Sequence, residues 1–128
     1  MEAILADTCV LVDVLRASPR ALRWWRRAER KYGMVVSAVT VAELLAGCRN
    51  RAEQRLVQRT LAVLPVVHIE PDDSMWALEQ YAALHLSRGV GFLDCLVAAA
   101  AARLRCAVHT LNEKHYRGLP GLRVERPY

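Results

Sequence analysis

The chain has 128 residues, 54% of them hydrophobic and 24% charged, with a formal net charge of +5. That length fits a single domain over residues 1–128, with no apolar run long enough to span a bilayer and no basic segment ahead of an apolar stretch to suggest a secretory leader. The four cysteines, Cys9, Cys48, Cys95 and Cys106, form no CxxC pair, which argues against a disulfide framework or a structural zinc site and for the cytoplasm, while the basic excess favours a polyanionic or acidic partner.

The apolar run Ala3–Ala6 stops at Asp7-Thr8, after which Val10, Leu11, Val14 and Leu15 follow helical spacing. A buried strand that delivers a carboxylate at its C-terminal end, followed at once by a helix, opens an α/β sheet, and in such sheets ligands bind beyond the carboxyl ends of the strands. Ser18-Pro19 reads as a second helix start, with proline at the first helical position. That helix runs from Arg20 to Tyr32, with Leu22, Trp25, Ala28 or Glu29, and Tyr32 near one face, and Gly33 stops it. Met34–Val36 is a second strand. Ser37–Thr40 leads into a helix over Val41–Ala46, closed by Gly47, and a further helical stretch from Arg49 to Leu64 ends at Pro65. Val66–Ile69 is a third strand, and Pro71–Ser74 caps a long helix through Leu86. The loop Ser87–Gly91 carries two glycines, read as a tight turn, before an alanine-rich helix from Phe92 to Leu104. Ala107–Thr110 is a fourth strand and Leu122–Val124 an edge strand. Alternating strands and helices predict an α/β fold with a parallel sheet of about four or five strands, covered on both faces.

Three acids fall at equivalent places: Asp7 at a strand end, Glu43 in a first helical turn and Asp94 early in the alanine-rich helix. Each has a structural reading. Thr40-Val41-Ala42-Glu43 matches a capping box, and Asp7 and Asp94 complement helix dipoles. Each also has a chemical one. Glu43 and Asp94 are embedded among apolar neighbours in sequence, and a carboxylate near a core stays charged only when paired or metal-bound. No lysine or arginine stands beside any of the three. Clustered carboxylates without basic partners repel one another, and a divalent cation resolves the repulsion. Oxygen ligands suit Mg²⁺ or Mn²⁺ better than zinc. An acidic metal floor inside a basic rim fits cleavage of a phosphodiester.

The stretches DTCVLVDVL (Asp7–Leu15), TVAELLAG (Thr40–Gly47), FLDCLVAAAAA (Phe92–Ala102) and TLNEKHY (Thr110–Tyr116) resemble, in order and separation, the successive motifs of PIN domains, and most closely the VapC-type toxins of toxin–antitoxin pairs. The resemblance implies a three-layer α/β/α fold, a homodimer, Mg²⁺- or Mn²⁺-dependent endoribonuclease activity on RNA, and inhibition by a VapB-type antitoxin, with DNA touched only through that antitoxin. It places Asp7, Glu43 and Asp94 in the metal site and makes Thr8 and Thr110 hydroxyl helpers that orient a carboxylate or water. Many members carry a further aspartate in the last motif, where this chain has Asn112 and His115. An asparagine carbonyl can ligate a metal more weakly, and His115, about one helical turn on, can serve as an acid or base.

Two other functions compete. Asp7-Thr8 can be read as the aspartyl-phosphate nucleophile of a haloacid-dehalogenase-like phosphatase, but the second aspartate such enzymes place two residues later is here Cys9. A degenerate PIN fold that binds RNA or protein without catalysis is the other alternative. Arg23-Trp24-Trp25-Arg26-Arg27 reads as one core tryptophan with a solvated arginine face, as an RNA grip, or, with Trp24 exposed, as a partner surface. Cys9 and Cys95 read as small buried hydrophobes, and His68, His85 and His109 as structural.

Overall fold

In the computed structural model, which describes residues 1–128, strand β1 (Ala3–Ala6) is the centre of the sheet. Its neighbours are β2 (Gly33–Ser37) and β4 (Ala107–His109), and the outer strands are β3 (Val66–Val67) and β5 (Arg123–Glu125). All four pairings are parallel. The five strands follow the order β3-β2-β1-β4-β5, so the chain moves outward on one side of β1 and later returns to build the other. The crevice between the carboxyl ends of β1 and β4 is therefore the topological switch point, where open α/β sheets bind ligands.

Helices cover both faces, as the alternation predicts. Helix α1 (Thr8–Leu15), α2 (Pro19–Lys31) and α4 (Arg51–Leu61) enclose a core of Ile4, Val10, Leu11, Trp24, Met34 and Leu61. On the other face, α5 (Pro71–Arg88) and α6 (Phe92–Leu104) enclose Leu5, Cys95, Val97, Val108 and Tyr116. The alternation Ile4 to one core and Leu5 to the other is the two-residue period of a strand buried on both sides. Helix α3 (Ala38–Ala46) sits at the sheet's carboxyl end, sending Leu44 to the first core and Val39 to the second.

The alanines of α6 have a packing role. Every residue from Cys95 to Ala101 is buried, and small side chains let one helix approach the sheet and α5 together. Arg103 fastens that pair of helices, donating from Nε and Nη2 to both oxygens of buried Asp73, each at 2.9 Å. Asp73 also closes a capping box with Glu70 at the start of α5, one residue earlier than the sequence suggests. Gly89 ends α5 in the left-handed region at φ +65°, where a Cβ is strained, and turns the chain into α6.

Three expectations about elements need correction. The buried tryptophan of α2 is Trp24, 4% exposed, together with Ala21 and Ala28, not the face through Trp25. Trp25 lies at the boundary and donates its indole N–H to Glu29 at 2.9 Å. Trp24 is therefore not an exposed partner surface. The third strand is only Val66–Val67, because it pairs with β2 alone and has no outer neighbour. Helix α3 begins at Ala38, three residues before the expected start, which changes the reading of Glu43.

Candidate active site

Asp7 leaves β1 and caps α1, its Oδ1 accepting the Thr8 N–H at 2.9 Å. Its Oδ2 accepts the hydroxyl of Thr110, the first residue past β4, at 2.8 Å. The two strands flanking the switch point thus hold one carboxylate from both sides and leave it 7% exposed. Capping and a site position coexist in this residue, since each of its oxygens has a different partner.

Glu43 does not close a capping box. Ser37 leaves β2 in extended conformation (φ −72°, ψ 144°) and caps α3 itself, its hydroxyl accepting the Val39 N–H at 3.1 Å. Thr40 is then an interior, fully buried helical residue, and Glu43 lies in the second turn. Nor is Glu43 embedded in the core: Leu44 is buried and Glu43 faces solvent. Its Oε1 accepts the Thr8 hydroxyl at 2.9 Å, which points the carboxylate toward Asp7's end of the sheet.

Asp94 stands in the first turn of α6. Burial pushes its carboxyl above the ordinary range, the charge of His115 pulls it back, and the charges of Asp7 and Glu43 push it further up. The His115 Nδ1 is 3.6 Å from Asp94 Oδ2. His115 ends a short 3₁₀ turn, Glu113–His115, which starts after Asn112 donates its N–H to Thr110 Oγ1 at 3.0 Å.

All five residues singled out from the sequence, Asp7, Glu43, Asp94, Asn112 and His115, line one open cleft of about 510 Å³. No lysine or arginine lines it. Each helper hydroxyl bonds a carboxylate, Thr110 that of Asp7 and Thr8 that of Glu43. No three of the protein's acids, histidines and cysteines stand close enough together to form a ready-made coordination shell. The donor chemistry nonetheless fits Mg²⁺ or Mn²⁺: three carboxylates and an amide carbonyl are hard oxygen donors, and Mg²⁺ keeps several waters while taking only one or two carboxylates.

Two residues of the site were not legible as such. Tyr116 is 2% exposed with its hydroxyl unpartnered; burial, and then the charges of Asp7 and Asp94, push that hydroxyl's pKa well up. In sequence it only closes the TLNEKHY stretch, and nothing there marks its hydroxyl. Cys9 has Sγ 3.4 Å from Thr110 Oγ1 and 3.8 Å from Asp7 Oδ2, and burial keeps it a thiol. A second cavity of about 560 Å³ lies beside the acidic cleft, between α1, α3 and α4, and shares Thr8 and Glu43 with it.

Comparison with protein families matches residues 4–118 to the PIN domain. The chain is 34% identical over 116 residues to Ribonuclease VapC10 of Mycobacterium tuberculosis, covering 88% of this chain and 85% of that protein. Among solved structures, VapBC2 from Rickettsia felis, bound to a DNA fragment from its promoter, aligns over 97% of this chain and 98% of that one at TM-score 0.83 and 18% identity. The DNA-bound VapBC of Salmonella typhimurium aligns over the whole of both chains (100% and 100%) at TM-score 0.80 and 23% identity. VapC20 of M. tuberculosis, a sarcin–ricin loop cleaving toxin, aligns over 94% and 98% at TM-score 0.70 and 22% identity.

Proposed function

The chain belongs to the PIN-domain family, and on that footing we propose that it is a metal-dependent endoribonuclease, the toxin of a toxin–antitoxin pair, which cleaves RNA phosphodiester bonds in the acidic cleft. The observation that carries this reading is the convergence of Asp7, Glu43 and Asp94, from three separate elements, on one cleft without a lysine or arginine in its lining. Mg²⁺ or Mn²⁺ is the cofactor such a donor set suits, with Asp7, Glu43, Asp94 and Asn112 as its protein ligands. When bound, the ion offsets the negative charge of acids and phosphodiester and makes a water more acidic.

The chain's own residues position and exchange protons. Thr110 and the Thr8 N–H keep Asp7 fixed, and the Thr8 hydroxyl orients Glu43. Preorganised carboxylates need no rearrangement as charge develops on the phosphate. His115, half-exposed with Nδ1 toward Asp94, is placed to carry a proton to or from a phosphate oxygen. The net charge of +5 over the whole chain attracts the RNA backbone.

The inhibiting partner is a VapB-type antitoxin, and DNA is reached only through it; the compared complexes from R. felis and S. typhimurium hold DNA as VapBC assemblies. The cavity between α1, α3 and α4 supports this reading. Its walls are apolar at Val12, Leu15, Leu44, Leu56 and Val57, and it opens at Glu43 into the acidic cleft. An antitoxin segment with an apolar stretch there and an Arg or Lys reaching the acids blocks substrate. A homodimer in the cytoplasm completes the proposal, supported by exposed Met75, Leu78 and Leu86 along α5; no helix is long and apolar enough to cross a membrane.

One observation favours the second reading, RNA binding without catalysis: the last motif carries the neutral Asn112 where an acid is common in the family. Titrating Mn²⁺ into purified protein with RNA separates the two. Cleavage that rises with metal supports the nuclease, and RNA binding without cleavage at any Mn²⁺ concentration supports the binding module.

A further inference from the structure

On the α2 face of the sheet, away from the acids, lies a second polar pocket of about 250 Å³. Its back wall is aromatic. The rings of Trp24 and Tyr32 approach His109 with centroids 5.8 and 5.5 Å away. Its rim is cationic: Arg27 and Lys31, one turn apart on α2, face Arg126 of the C-terminal tail, and Glu125 is the only acid in the lining. Neither Arg27 nor Lys31 takes part in an ion pair. Lys31 instead lies 5.2 Å from the Tyr32 ring centroid. Arg126 is held in place by the Tyr128 and Leu111 carbonyls at 3.1 and 3.0 Å, and three cations against the single acid Glu125 attract an anion.

His109 supplies a directed donor. The residue is 4% exposed, and its Nδ1 accepts the Trp24 indole N–H at 3.2 Å. A neutral imidazole that accepts at Nδ1 carries its proton on Nε2. That Nε2–H is buried and lacks a well-formed hydrogen bond, although Glu125 Oε2 stands 3.2 Å away, off the line of donation.

We propose that this pocket binds a nucleotide, its phosphate on Arg27, Lys31 and Arg126 and its base against the half-buried Tyr32 ring, which Trp24 and His109 back from within the core. Aromatic faces take bases of any sequence, and guanidinium and ammonium groups take the phosphate. Nothing in this assignment depends on the acids being a nuclease. The nucleotide has two sources: a free mononucleotide, or one unit of an RNA strand whose neighbouring part lies elsewhere on the protein.

The test is titration of adenosine 5′-monophosphate, and separately of a short single-stranded RNA, into the protein in EDTA, read by tryptophan fluorescence and calorimetry. Without a divalent ion the acidic cleft repels both probes. Binding that is weakened about tenfold or more in the exposed-residue variant Arg27→Ala/Lys31→Ala, as loss of charge-assisted bonds requires, and left unchanged in Asp7→Asn supports the pocket. If only the RNA arm behaves so, the source is a strand; if both do, it is a free nucleotide. Absence of binding by either probe at millimolar concentration, or binding indifferent to the double substitution, overturns the proposal.

Discussion

The Thr8 hydroxyl donates to Glu43 Oε1 across 2.9 Å, tying the first residue of α1 to the second turn of α3. The bond is not that of a capping glutamate, which turns back to its own helix start, and that start belongs to Ser37. Glu43→Gln therefore leaves stability within about 0.5 kcal/mol, as for an exposed substitution. As the loss of a charged ligand, it weakens Mn²⁺ binding and RNA cleavage by about tenfold or more, with ligand-shell substitutions as the guide. Melting temperature and Mn²⁺ affinity of this one variant check both halves.

Asp94 links function to stability through pH. Burial raises its folded-state carboxyl pKa, and Asp7 and Glu43 add to this against the pull of His115. For an acid with a raised folded pKa, the protonated form fits the fold better. The contribution is fully favourable below the ordinary value of 3.8 and is lost as pH rises through the folded value. Asp94→Asn removes that loss. The variant should melt higher than the parent at pH 7 in EDTA, with the gap closing toward pH 3 to 4, while binding no Mn²⁺ at the site. Thermal melts across pH test the sign; a variant that is less stable at pH 7 contradicts it.

The neutral position in the last motif gives opposite expectations for two neighbours. Asn112 lines the cleft beside Asp7 and Asp94, so Asn112→Asp supplies a charged oxygen and tightens Mn²⁺ binding. His115→Ala should slow cleavage, by roughly 100-fold if the imidazole moves a proton in the rate-limiting step, and change metal affinity less. Mn²⁺ titrations paired with cleavage rates for both variants separate ligand from proton carrier. Unaltered affinity in Asn112→Asp puts that side chain outside the coordination shell.

Why some of this was readable in the chain and some not follows from particular residues. The apolar run before Asp7, and the alanines that allow α6 to pack closely, are local signals, and both survive intact in the fold. Register within a helix is not local. Ser37 and Thr40 are both competent caps three residues apart, and only the end of β2 at Ser37 selects between them. Trp24 and Trp25 are likewise adjacent candidates for burial, and the docking of α2 against His109 and the sheet core chooses Trp24. Asp7 and Asp94 were legible because one follows β1 and the other opens α6 at the sheet's carboxyl end, whereas Glu43, in the second turn of α3, was legible only through the TVAELLAG stretch. The Tyr116 hydroxyl was not, because its position depends on how the 3₁₀ turn seats the ring beneath the cleft.

The proposed antitoxin groove can be tested apart from catalysis. Leu56 on α4 is 44% exposed, lines the groove and does not line the acidic cleft. Leu56→Glu should weaken inhibition by the cognate antitoxin by about tenfold or more, since a charge in an apolar anchor pocket is costly, with RNA cleavage by the free protein unchanged. Inhibition curves at fixed RNA concentration read this out, and an unshifted curve places the antitoxin elsewhere.

The central claim is that the cleft around Asp7 hydrolyses RNA with a divalent ion. Asp7→Asn is its most direct probe, because asparagine keeps the cap of α1 while removing the charge and replacing the oxygen that accepts from Thr110 with an amide NH2. Cleavage of RNA by parent and variant should be followed side by side with increasing Mn²⁺, with circular dichroism and melting temperature as the fold control. The account predicts metal-dependent cleavage by the parent and a loss of about 100-fold or more in a folded variant. A folded Asp7→Asn protein that cleaves RNA at the parent's rate would contradict it.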